Sequence, residues 1–93
     1  MDDARKIKET EKILKVLANK RRLVIIKYLR KVKEAKVGDI ADEINISFKA
    51  TSKHLALLLA ADVLEREQRS LQMWYKLSSE QNNIVKYISN SLE

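Results

Sequence analysis

Between Ser47 and Ala60 the chain sets Ser47, Lys49, Ser52 and Lys53 along a stretch that holds no carboxylate. Ammonium and hydroxyl groups in that pattern donate hydrogen bonds, and their natural acceptors are phosphate oxygens and the edges of bases. Helical spacing puts Lys49, Ser52, Lys53 and Ala56 on one face and Thr51, Leu55, Leu58 and Leu59 on another. An ordinary solvated face mixes charges of both signs, whereas this one carries only small and cationic groups. Phe48 either extends the apolar stripe or meets thymine methyl groups. His54, the only histidine, stands beside a core leucine, where a hydrogen-bonding role outweighs a metal-binding or catalytic one. Arg66 and Arg69 fall further on, in a segment of alternating pattern, with Arg69 near the tip of a hairpin. Arg21 and Arg22 suit phosphate contacts and an exposed face equally well.

Catalytic chemistry has little to work with. There is no cysteine, a single glycine (Gly38) and no paired-histidine or phosphate-loop motif. No nucleophile has a credible base beside it, so the chain is not expected to be an enzyme. No metal site and no cofactor are expected.

The elements that must position these residues are legible around them. Ile40, Ala41 and Ile44 mark a short helix, and Asn45 tolerates the left-handed conformation a tight corner requires. Ile46 can plug the corner, and Ser47 is a good N-cap for the helix beginning at Phe48. Residues 37–60 therefore read as a helix-turn-helix. Upstream, residues 4–17 form an amphipathic helix, Asn19 breaks the pattern, and a second helix runs from about Lys20 to Val32. After Ala61 the period changes from helical to alternating. Leu71, Met73, Tyr75 and Leu77 point one way, while Gln72, Trp74 and Lys76 point the other. Val63–Glu67 supplies the partner strand, making a hairpin wing over 63–77 whose turn lacks an Asn-Gly or Asp-Gly signal. A last helix starts at about Ser79. The expected fold is mainly α with a small β-hairpin wing: a winged helix-turn-helix with extra N- and C-terminal helices. The residues leave Trp74 without a clear place.

With 93 residues and no proline, the chain reads as one domain over 1–93. Its net charge of +6 is unevenly spread. Residues 1–36 hold thirteen Lys/Arg against five Asp/Glu, and the acidic residues Asp39, Asp42 and Glu43 precede the helix at 48. A basic domain of this size suits double-stranded DNA, whose phosphates supply most of the non-specific attraction. No apolar run is long enough to span a membrane and no signal-peptide layout is present, so a cytoplasmic location is expected.

Three segments resemble the ArsR family of dimeric winged-helix transcription factors. LKVLANKRRLVIIKYL (14–29) is similar to the family's opening. DIADEINISFKATSKHLALL (39–58) resembles its helix-turn-helix, with the signature Ser52-Lys53-His54-Leu55. MWYKL (73–77) resembles the second wing strand. The resemblance implies DNA binding through Ser47, Phe48, Lys49, Ser52, Lys53, His54, Arg66 and Arg69. It also implies a two-fold interface made by the terminal helices, here Ile7, Leu14, Leu17, Ile84, Tyr87 and Ile88. Two recognition helices would then meet successive major grooves of a pseudo-palindromic operator, as a homodimeric repressor. Metal sensors of the family use cysteines near the recognition helix or histidines on the last helix. Here the matching stretch reads Lys36-Val37-Gly38-Asp39, and residues 78–93 contain no histidine. The chain is therefore expected to be of a non-metal-sensing type, and a small-molecule effector stays open and unidentified. The competing reading is a winged-helix protein-protein interaction module, with Trp74 and the acidic helix as contact surfaces.

Overall fold

In the computed structural model, which describes residues 2–93, five helices accompany a three-stranded sheet, and the middle three pack on it. The order is α1 (Asp2–Leu17), α2 (Lys20–Val32), β1 (Ala35–Lys36), α3 (Val37–Ile44), α4 (Phe48–Ala60), β2 (Leu64–Arg69), β3 (Gln72–Leu77) and α5 (Asn83–Ser91). The architecture is the expected winged helix-turn-helix with a helix added at each end.

Local chemistry explains most of the boundaries. Asn19 caps α2 by accepting a hydrogen bond from the Arg22 amide (3.1 Å). Asn45 takes the left-handed conformation (φ 56, ψ 48) and turns the chain between α3 and α4. Ser47 Oγ accepts from the Ala50 amide at 3.0 Å and caps α4. At the other end of α4, Val63 N–H donates to Leu58 O and Asp62 N–H to Leu59 O, with Asp62 left-handed (φ 59). This is the Schellman arrangement, and it aims the chain directly into β2.

The core lies where α2, α3 and α4 meet the inner face of the sheet. Ile25, Ile26, Leu29, Ile40, Leu55, Leu58 and Val63 are fully buried there, with Tyr75 from β3 and Val85 from α5. Arg30 on α2 donates to Ser89 Oγ (3.4 Å) and to Asn90 Oδ1, tying α5 to the body.

Several expectations are corrected. The two-residue strand β1 carries too little pattern to be read locally. It exists because β3 offers it an open edge, pairing Ala35 with Tyr75 and Lys36 with Trp74, so the hairpin is a sheet of order β1-β3-β2. The first helix begins at Asp2 rather than residue 4. The last begins at Asn83, not Ser79, because Asn82 Oδ1 caps it by accepting from the Ile84 amide (2.8 Å). Arg69 pairs with Gln72, so the wing turn is Ser70–Leu71, with Ser70 at φ 59. Leu71 consequently leaves the inward face expected of it and is 95% exposed. Leu17, expected at a dimer interface, is only 4% exposed and belongs to the protomer's own core. The stripe of α1 rotates its last turn inward, so Ile13, Val16 and Leu17 pack against the body while Ile7 and Leu14 face out.

Candidate nucleic-acid interface

The exposed face of α4 begins with its cap. With Ser47 Oγ engaged by the Ala50 amide, Thr51 Oγ1 donates back to Ser47 O (2.8 Å) from a fully buried position. Thr51 thus fixes the first turn. Phe48, Lys49, Lys53 and Ala56 are exposed and Ser52 is half-buried, which aligns them along one side of the helix. Neither lysine lies within ion-pair distance of a carboxylate among the described residues. Both ammonium groups therefore face solvent uncompensated. Phe48, 62% exposed, borders a cleft shared with Lys36, Gln72 and Met73, which places the start of α4 beside the wing.

His54 is half-buried on the flank of α4 and faces the start of α2. Arg22 joins three elements there. Its backbone is held by Asn19, its Nε donates to Val16 O (2.6 Å), and its NH1 donates to His54 Nδ1 (3.3 Å). A guanidinium carries only donors, so His54 must accept at Nδ1 and carry its proton on Nε2. Burial, reinforced by the charges of Arg22 and Arg21, lowers the His54 pKa and keeps the ring neutral. Arg22 thus acts as a brace between the end of α1, α2 and α4; its partners are too far apart in sequence for local pattern to reveal. Arg21 remains exposed.

On the wing, Arg66 is exposed on β2 and makes no ion pair among the described residues. Arg69 is placed differently from a free cation at a tip. It donates to both carboxylate oxygens of Glu34 and to Glu67 Oε1 (2.9 Å), and it stacks over Trp74, 5.2 Å from the ring centroid. Lys36 Nζ lies 5.4 Å from the same centroid, so the indole that the linear pattern left unplaced is flanked by two cations. The shared parity of Glu67, Arg69 and Trp74 along the paired strands was the available signal. The contribution of Glu34 depends on β1 and was hidden with it.

A capped, carboxylate-free helix presented beside a β-hairpin defines a winged helix-turn-helix DNA-binding protein. The profile described as "Bacterial regulatory protein, arsR family" matches residues 19–66, and the chain belongs to that family. It is a regulatory protein of that family. Among the described residues no group of His, Asp or Glu side chains is arranged to hold a metal ion, and no helix is long and apolar enough to cross a membrane. Curated protein sequences contain no match to this chain. Solved structures do resemble it. HlyU from Vibrio cholerae is 29% identical with a TM-score of 0.81, covering 94% of this chain and 90% of its own. NolR from Sinorhizobium fredii is 26% identical with a TM-score of 0.82, covering 98% and 87%. The transcriptional repressor PagR of Bacillus anthracis is 26% identical with a TM-score of 0.82, covering 97% and 99%.

Proposed function

We propose that this chain is a homodimeric repressor that binds a pseudo-palindromic operator, with residues 1–93 acting as one DNA-binding domain in the cytoplasm. The helix-turn-helix at 37–60 inserts α4 into the major groove, and the wing at 63–77 meets the flanking backbone. The observation that carries this reading is the exposed arc of α4, where Lys49, Ser52 and Lys53 stand with no carboxylate among the described residues to neutralise them. Lys49 and Lys53 neutralise phosphates, Ser47 and Ser52 add hydroxyl contacts, and Phe48 offers an apolar edge for thymine methyls. His54 Nε2–H, oriented by Arg22, is a further donor toward the backbone.

The dimer reading draws on α1 and α5. Ile7 is 70% exposed, Leu14 and Tyr87 are exposed, and an apolar furrow runs along α1 past Ile7, Thr10, Leu14 and Ala18. Ile84 and Ile88 pack partly against the body and would complete the seam only at their outer edges. Repression is favoured because PagR, similar over almost its whole length, is a transcriptional repressor.

Selection of sites from a random duplex pool, repeated at low and moderate salt, tests the whole reading. Enrichment of a two-fold symmetric site with half-sites one helical turn apart, about 34–36 Å, is the expected result. Weak binding that vanishes at moderate salt without enrichment would defeat it and leave the interaction-module reading in its place.

A further inference from the structure

The outer face of the wing sheet holds a charge arrangement that DNA contact by α4 does not use. Strand alternation puts Lys36, Trp74, Lys76, Glu65, Glu67 and Arg69 on the face opposite Tyr75, and Glu34 joins them from the residue before β1. Glu65 pairs with Lys76 at 3.5 Å, while Glu34 and Glu67 both pair with Arg69. Acidic and basic side chains are equal in number here, so this face exerts no net pull on a phosphate.

Arg69 is the exception to the pattern of the proposed interface. Among the described residues Lys49, Lys53 and Arg66 make no ion pair, whereas Arg69 makes two. It is also the last paired residue of β2, next to the Ser70–Leu71 tip that projects into solvent. A phosphate can take the paired NH1 and NH2 donors of Arg69 only by displacing Glu34, and Glu67 holds the remaining NH2 hydrogen. The exchange is close to balanced, because carboxylate and phosphate both present paired oxygens to the guanidinium fork. Exposed ion pairs, moreover, add little stability of their own. Stacking on Trp74 can persist while the guanidinium changes partners, so the side chain stays ordered throughout.

We propose that Glu34 sets the protein's DNA affinity by competing with backbone phosphate for Arg69, with Glu67 as a second competitor and Trp74 as the platform beneath the exchange. The inference rests on the DNA-binding reading above. Glu34 is a restraint on binding: the wing cation is available to DNA at a cost that this one carboxylate controls.

A double-mutant cycle tests it, with duplex DNA of mixed sequence titrated by fluorescence anisotropy over a range of salt. Glu34→Gln preserves shape at a half-buried site, and circular dichroism checks that each variant is folded. The expected gain in affinity is about two- to fivefold, the size of a surface ion pair. The slope of log K against log salt steepens by up to about 0.9, one additional phosphate contact. In an Arg69→Ala background the same Glu34→Gln change leaves affinity unchanged. A gain that persists without Arg69 would mean that Glu34 merely repels DNA, and would overturn the proposal. An unchanged or weakened affinity in the presence of Arg69 would make Glu34 a structural brace, with the same consequence. Both outcomes leave the regulator reading standing; failure of the unsubstituted protein to bind DNA sinks that reading and this inference together.

Discussion

Single side chains divide here into those whose charge is free and those whose charge is already taken. Lys49 and Lys53 are free, so replacing either by Ala should weaken binding to specific and mixed-sequence DNA alike. The salt slope should fall by about 0.9 per lysine, measured by anisotropy titration over salt. Ser52→Ala, by contrast, should alter preference among sequences more than the slope. His54 makes a different prediction. Its ordinary pKa of 6.5 is lowered in the folded protein, first by burial and then by Arg22 and Arg21. The unfolded chain therefore binds a proton at a higher pH than the folded one. Stability is complete above about pH 6.5 and declines as pH falls from there toward the lowered folded value. Urea midpoints across that range should show the decline, and His54→Gln should flatten it. Glu34 runs with the opposite sense of charge, since hydrogen bonding to Arg69 holds its carboxyl below the usual value. Its contribution is present above the ordinary 4.5 and is lost as pH falls through the lowered value.

At the scale of elements, caps decide how accurately α4 is presented. Ser47→Ala removes the acceptor for the Ala50 amide and should cost about 1 kcal/mol in denaturant unfolding. Because the hydroxyl also borders the proposed interface, its loss in DNA affinity should exceed what stability alone explains. The helix ends were readable where a single side chain does the work, as Asn19 and Ser47 do. Local residues do not fix them where tertiary structure selects among candidates. Around the last helix, Ser78, Ser79 and Asn82 are all plausible caps. Only Asn82 is used, because Val85 and Ser89 must point into the core. The strand β1 is the extreme case: two residues have no periodicity, and pairing with β3 alone makes them a strand.

Across the whole molecule, the elongated shape of 43 × 27 × 21 Å reflects α1. Residues 3–9 of that helix are all exposed, so its first two turns have no packing partner within the protomer. Isolated helices shorter than about 12–15 residues are marginal in water, which makes a second copy the natural support. Leu14→Glu, or Tyr87→Glu on α5, should convert a dimer into a folded monomer, read by analytical ultracentrifugation with unchanged helix content at the body. Losing the linked second half-site contact should lower operator affinity by on the order of 10²-fold. Dimeric behaviour of both variants would remove these surfaces from the interface.

Periodicity and capping residues are local signals, and they were enough to identify α2, α3, α4 and the hairpin. They also placed Lys49, Ser52 and Lys53 on the exposed side of α4, because a helix of known phase with an apolar stripe has only one face left for water. The fold's local conformations were therefore written into neighbouring residues. What joined distant ones was decided by packing. Arg22 meets His54 across 32 positions, and Glu34 meets Arg69 across 35. Both pairs form only after the helices and sheet have docked. The same docking turned Leu17 inward, left Leu71 at the tip of the wing and set Trp74 between Lys36 and Arg69. The physical reason is that a side chain's phase on its own element specifies a direction, whereas its partner depends on what the rest of the chain brings into that direction.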